Sequence, residues 1–490
     1  MPRPQTLDRR AFLALTAPAF LAGAAHAAET AAPDPRPNVL LFFPDQHRPD
    51  WLPTTPGLDV RMPHFQTLCR RGVRFTNALC PSPLCAPSRA CLAAGREYNR
   101  CGVPGNNRDY PLEQPTFYQR LRQSGYHVAG CGKFDLHKAS ATWGIDGRHL
   151  IAEWGFSDGI DSAGKWDAIN SGAIEPKDPY MHYLRQRGLL EAHVEDFRRR
   201  RKEGRAAATF PTPLPDDAYC DNWIARNGLT LLERTPKCRP WFLQVNFNGP
   251  HDPLDITAHM EEGCRDRRLP PPNGNTQHPP EVHNAIRQNY TAMVENLDRL
   301  LGLYLDALEA RGELDRTVVV WSSDHGEMLG DHNRWAKTLP WQPSAGVPLV
   351  IAAPGGRAGA VHEGPATTLD LAATFLDYAG VARPPDMDSR SLRGLLEGRT
   401  RTHREYALCG LGAWRLVFDG RYKLIRGFRP DAGAGAGKAK AARAEGNRET
   451  PPDILFDLTA DPLEDTNVAS RQPDVVRKMR GQLPHFILFD

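Results

Sequence analysis

No Cys-x-x-Cys pair occurs in this chain, so a zinc site built from paired thiolates has no support in the spacing. Ten cysteines in 490 residues are too few for a disulfide-dense scaffold. Most of them read as small buried hydrophobes, with room for one or two disulfides that sequence cannot pair. Charge of one sign is also lacking. Lys and Arg total 61 against 58 Asp and Glu, a net charge of +3, which gives nucleic acid no electrostatic footprint. The run Arg198-Arg199-Arg200-Arg201-Lys202 meets Glu203 at once and reads as a solvated helix end. No solenoid-type repeat is present. With 40% hydrophobic and 24% charged residues, the composition is that of a soluble globular protein. The length allows one large domain and a smaller one.

Long apolar runs are absent except near the start. Arg9-Arg10-Ala11-Phe12-Leu13 is a twin-arginine pattern, followed by an alanine-rich apolar stretch to Ala25. That stretch is short for a bilayer span, and Ala25-His26-Ala27 supplies the small residues a signal peptidase needs. Residues 1–27 are therefore expected to be a signal peptide read by the twin-arginine translocation machinery. The mature chain is then periplasmic or secreted from a bacterium, and is exported already folded.

Four short apolar runs end in ionisable residues. Asn38–Phe43 leads to Pro44-Asp45-Gln46-His47, and Tyr126–Gly130 leads to Gly132-Lys133. Trp241–Phe247 leads to Asn248-Gly249-Pro250-His251, and Thr317–Ser323 leads to Asp324-His325-Gly326. A fifth run is Pro348–Ala352. Unbroken apolar runs suit strands buried on both faces. Helix-period segments lie between them. The clearest is Val282–Ala310, with Ile286, Tyr290, Met293, Leu297, Leu300, Tyr304 and Leu308 on one side, and another helix is expected around Leu369–Tyr378. Strands alternating with helices predict an α/β fold with a mostly parallel sheet, which places ligands beyond the strands' carboxyl ends. After about residue 400, Tyr406–Leu408, Trp414–Val417 and Tyr422–Ile425 have hairpin spacing. The Gly/Ala/Lys-rich stretch around 431–450 reads as a mobile loop.

Cys85-Ala86-Pro87-Ser88-Arg89, running on to Gly95-Arg96, is the most specific segment of all. Behind it come Gly125–Lys133, Asn248–Pro253, Ser323–His332, Trp335-Ala336-Lys337 and the turn Asp461–Asn467 after Leu455–Leu458. In this order they resemble the signatures of the type I, formylglycine-dependent sulfatases of the alkaline phosphatase superfamily. Departures are Ala94 where that family usually has threonine, Gln46 in place of a second aspartate, and Asp135 where a histidine often stands.

The resemblance implies a large α/β domain over residues 28–395, with a central, mostly parallel mixed sheet flanked by helices. It also implies a smaller C-terminal α+β subdomain over 396–490 with a short antiparallel sheet. Cys85 would be converted to formylglycine by a formylglycine-generating enzyme, and the hydrated aldehyde would attack the sulfur of a sulfate ester, with a sulfated carbohydrate the favoured substrate. Arg89, one helical turn on, would hold the hydrate. Asp45, Gln46, Cys85, Asp324 and His325 would hold a divalent cation, Ca²⁺ first, with Mg²⁺ or Mn²⁺ as alternatives because an imidazole and an amide soften the donor set. Lys133, Lys337 and His251 would bind the sulfate ester, with His251 a candidate general acid for the leaving oxygen and Lys337 a second candidate for that proton. His137 is a further candidate for contact with the hydrate, and Asp135 for either a substrate contact or a partner of Lys133. Two other readings stay open: a phosphonate monoester or phosphodiester hydrolase of the same superfamily, and a non-catalytic sulfated-glycan-binding protein in which Cys85 stays a thiol.

Overall fold

Strand β1 (Asn38–Asp45) carries no charge until its last residue, and all of it is buried. Alternate side chains leave a strand on opposite faces. Val39, Leu41 and Phe43 enter one hydrophobic core, and Leu40 and Phe42 the other. The computed structural model describes residues 34–274, 277–430 and 451–483. The expected signal peptide and the stretch 431–450 lie outside the described residues.

The remaining strands of the large sheet and its neighbours are β2 (Val73–Phe75), β3 (Ala78–Leu79), β4 (His127–Gly132), β5 (Asp158–Asp161), β6 (Trp241–Pro250), β7 (Thr317–Ser322), β8 (Leu349–Ala352), β9 (Ala360–His362) and β10 (Ala366–Thr367). Seven of them join β1 in one eight-stranded sheet, in the order β5-β4-β6-β1-β7-β8-β2-β9. Only β8 runs against its neighbours, so the sheet is mixed but mostly parallel. The four runs singled out in the sequence are β4, β6, β1 and β7, side by side and parallel, so their carboxyl ends share one edge. The smaller sheet is the antiparallel set β11 (Ala407–Leu411), β12 (Trp414–Phe418), β13 (Tyr422–Arg426) and β14 (Ile454–Asp457). The strands not foreseen, β2, β3, β5, β9 and β10, have two to four residues each, too few to show a period.

Helices cover both faces. Pro280–Ala310 buries the expected stripe from Ile286 to Leu308. The helix Cys85–Ala94 is buried at every residue, which explains why its sequence has no polar face. It stops at Gly95 in a left-handed conformation (φ 65°), where a Cβ would sit 2.6 Å from the Met387 side chain. The basic run 198–202 is an exposed helix end at four of its five residues, with one exception. Arg200 is buried, bonded to Asp196 at 2.9 Å and to the carbonyls of Ala208 and Phe210 at 2.7 Å. No helix among the described residues is long and apolar enough to cross a membrane.

Phe42 stacks on Trp321 of β7 at 4.9 Å and packs on Phe247 of β6 at 4.4 Å between ring centroids. Phe42→Ala is expected to lower stability by about 3–5 kcal/mol, read as a drop in the denaturant midpoint.

Candidate active site

Asp45 ends β1, Lys133 follows β4, His251 follows β6, and Asp324 and His325 follow β7. The parallel sheet thus delivers four motifs, up to 280 residues apart in sequence, to one edge; the span runs from Asp45 to His325. Cys85 joins them from the first turn of the helix Cys85–Ala94. Its Sγ lies 3.2 Å from His325 Nε2 and 4.0 Å from Asp45 Oδ1. The helix is pinned there by Ser88, whose hydroxyl donates to the Asp324 carbonyl at 2.6 Å.

Arg89 spends its donors on the strand ends. Nε donates to Asp324 Oδ2 at 3.0 Å, Nη2 to Asp45 Oδ2 at 3.1 Å, and Nη1 to the Lys133 carbonyl at 2.5 Å and Asn246 Oδ1 at 3.2 Å. No hydrogen bond joins it to Cys85 among the described residues. Lys133 Nζ pairs with Asp45 Oδ2, and with Asp135 Oδ2 at 3.3 Å. Asp135 is shared with Lys138 at 3.0 Å.

These charges sit out of water, and their balance decides their states. Burial opposes ionisation of Asp45, but Lys133, His251 and Arg89 outweigh it and hold the carboxyl well below the usual range. Burial likewise opposes the Lys133 ammonium, yet Asp135 and Asp45 hold its pKa well above normal. At Cys85, burial and Asp45 disfavour the thiolate, while Lys133, Lys337 and His325 favour it and win. The site therefore stabilises negative charge at position 85.

His325 Nδ1 lies 3.1 Å from the Gly326 carbonyl. A carbonyl accepts only from Nδ1–H, so in the neutral ring the Nε2 lone pair faces Cys85 and the carboxylates. Burial disfavours protonation there, but Asp324 and Cys85 outweigh it and raise the pKa. Ligand atoms of Asp45, Cys85, Asp324 and His325 all lie within 4.8 Å of one another, a donor set that fits a divalent cation. Gln46 is placed beside this set. Its amide nitrogen donates to Glu327 and its amide oxygen accepts from Lys337 Nζ at 2.5 Å.

Lys337 Nζ also meets His251 Nε2. Its loop is built rather than loose. Glu327 Oε1 accepts from the backbone of Leu329 at 2.9 Å and of Ala336 at 2.6 Å, and Thr338 N donates to the Pro83 carbonyl at 2.9 Å. The small sheet adds a clamp: Lys423 pairs with Glu464 at 2.5 Å and reaches the Pro340 carbonyl, while Glu464 Oε2 accepts from Gln342 N at 2.5 Å.

His137 is placed apart from these groups. Its Nε2 bonds Asp161 Oδ2 at 2.7 Å, and its ring packs on Trp143 and Trp154. His47 is buried with Nε2 3.1 Å from the Trp51 carbonyl, and burial drops its pKa to about 4. Three participants escaped sequence reasoning: Asn246, Glu327 and Lys138. Asn246 did leave a signal, since a buried strand has no reason to carry an amide unless it bonds something. Glu327 lay inside the Ser323–His332 motif, but nothing in the sequence gave it a role, and Lys138 left no signal that distinguished it from surface charges.

A Sulfatase family model matches residues 37–381 of this chain. The choline-sulfatase of Rhizobium meliloti is 29% identical over 462 residues, covering 89% of this chain and 82% of that protein. The phosphonate monoester hydrolase of Agrobacterium radiobacter superposes with a TM-score of 0.74 at 23% identity, over 91% of this chain and 94% of that one. A protein solved in complex with its substrate D-glucosamine-2-N,6-O-disulfate superposes with a TM-score of 0.67 at 19% identity, over 91% and 97%.

A cation bound by this donor set must displace any proton on His325. Because that group's pKa is raised, divalent-cation affinity is expected to rise with pH until the imidazole is neutral, and to fall as pH drops, measured by calorimetric titration. His325→Ala should weaken binding by more than about tenfold, checked by metal analysis after dialysis.

Proposed function

Because this chain belongs to the sulfatase family, we propose that it hydrolyses a sulfate ester at the edge where β4, β6, β1 and β7 end, using formylglycine made from Cys85. The supporting observation is the anion-favouring setting of position 85, flanked by Lys133, Lys337 and His325. The side chain described is the cysteine precursor, and its Sγ stands in for the oxygens of the hydrated aldehyde. As that hydrate, position 85 supplies a hydroxyl for attack on sulfur and a second one whose deprotonation expels sulfate.

Asp45, Asp324 and His325 would hold a divalent cation, Ca²⁺ first, which would supply positive charge to the sulfuryl oxygens and would acidify the attacking hydroxyl. Arg89 holds the two carboxylates in place through the paired bonds described above. Lys133 and Lys337 offer fixed ammonium groups to the tetrahedral anion, where charge accumulates as the sulfuryl group transfers. Lys337 Nζ and His251 Nε2 lie together. His251, half-buried, stands on the accessible side and donates a proton to the departing oxygen. His137 takes no part in this scheme and serves as a partner of Asp161.

A sulfated carbohydrate is the substrate class we favour, supported by the sugar disulfate bound by one structural neighbour. The likeness to a phosphonate monoester hydrolase favours a second reading, since both esters present tetrahedral oxyanions to the same cations. We assign residues 28–395 to catalysis and 396–490 to support of the Lys337 loop. We further propose export by the twin-arginine pattern and modification by a formylglycine-generating enzyme.

Peptide mass spectrometry of the protein from an oxidising, modification-competent host should find residue 85 as the aldehyde. An intact thiol together with retained glycan binding points instead to a binding protein. Parallel assays with a sulfate ester and a phosphonate ester should show faster turnover of the sulfate. Lys337→Ala should lower kcat by about 10²–10³-fold, and Cys85→Ala should abolish turnover.

A further inference from the structure

Two consecutive residues outside every motif above converge on the segment that carries His251. Lys165 opens the helix Lys165–Gly172, and its side chain is 3% exposed. Its ammonium donates to Asp255 Oδ1 at 2.6 Å and to the carbonyls of Pro253 at 3.2 Å and His251 at 3.3 Å. Trp166 Nε1–H donates to Asp252 Oδ2 at 2.8 Å. The other oxygen of that carboxylate lies 3.2 Å from His251 Nδ1, and the Asp252 carbonyl lies 2.6 Å from the same nitrogen. The Trp166 ring is itself held, with Phe197 at 5.1 Å and the Arg205 guanidinium at 4.3 Å.

A buried ammonium is costly unless its donors are satisfied, and an ion pair alone does not repay the loss of water. Lys165 is satisfied by three acceptors on one short stretch, so it fixes the path of residues 251–255. Trp166 fixes the carboxylate at the back of the His251 ring. With Nδ1–H committed to Asp252, Nε2 is the nitrogen turned towards Lys337. Consecutive helical residues point about 100° apart, so the pair grips the segment from two directions. Neither side chain touches Cys85, Asp45, Asp324 or His325 by any bond among the described residues.

We infer that Lys165 and Trp166 are positioning residues for proton donation: they hold His251 with Nδ1–H on Asp252 and Nε2 turned to the cleft, the orientation from which its imidazolium form gives the Nε2 proton to the leaving oxygen and is left neutral. This rests on the proposed role of His251. Such a role has a signature that mere loss of structure lacks. An ester of an acidic phenol needs little help from a proton, whereas one of a weakly acidic phenol needs much.

The test uses full-length, modified, metal-loaded protein with 4-nitrophenyl sulfate and phenyl sulfate. Trp166→Phe keeps an aromatic ring and removes the N–H. It is expected to lose less than about twofold in kcat on 4-nitrophenyl sulfate and about tenfold on phenyl sulfate, a fraction of the 10²–10⁴-fold range of general acid catalysis. Lys165→Met should show the same selectivity, and Lys165→Arg should restore part of it. His251→Ala is the control and should be more selective still. Equal losses on both esters, or no loss, in Trp166→Phe with a selective His251→Ala would overturn the positioning role. An unselective His251→Ala would instead remove the proton-donor assignment, and the positioning inference with it. If Lys165→Met does not fold, as judged by its circular dichroism, Trp166→Phe carries the test.

Discussion

Arg89 is the link on which the rest of the site depends. One guanidinium, almost wholly buried, joins Asp45 at the end of β1, Asp324 beyond β7, the backbone beyond β4 and Asn246 of β6. It binds the helix bearing Cys85 to four adjacent strands at once. Two carboxylates as close as these repel each other strongly out of water, and a planar cation with five donors is the side chain suited to hold both. Removing it would leave two buried negative charges with one ammonium, Lys133, which is already shared with Asp135. Arrangements of this kind contribute orientation more than net stability, because desolvation cancels much of the attraction.

The same logic extends outwards through shells of fixed partners. Glu327 is not a member of the donor set, yet it bonds Gln46 and the backbone of Leu329 and Ala336, at the two ends of the stretch that leads to Lys337. The small C-terminal sheet acts at one remove, through Lys423 and Glu464, on Pro340 and Gln342. Lys165 and Trp166 do for the His251 segment what Glu327 does for the Lys337 loop. The side chains proposed to meet substrate are thus held on several sides, which lowers the reorganisation a reaction must wait for.

Legibility followed length and chemistry. The runs that became β1, β4, β6 and β7 were readable because a row of apolar residues closed by a charge fits a strand buried on both faces and little else. The long helix Pro280–Ala310 was readable from its period. Short strands such as β5, whose sequence Asp-Gly-Ile-Asp has no apolar run, were not. His137 shows the limit at the site. Its place four residues after Lys133 puts it near in sequence, but the turn at Asp135, in a left-handed conformation (φ 55°), is followed by a path that carries it to Asp161 on the edge strand.

By itself the sequence determined the α/β class, the order of the motifs and the residue types that can hold charge, because these depend on local pattern and side-chain chemistry. Which of those charges meet was decided only in three dimensions. The neighbour pair Lys133 and Asp135 was foreseen from the sequence, but pairing of Asp45 with Lys133 and of Lys337 with His251 and Gln46 depends on strand order and loop path. Burial then sets the strength of each pairing. Neither quantity is carried by any one stretch of the chain, since both arise when distant segments exclude water from a shared space.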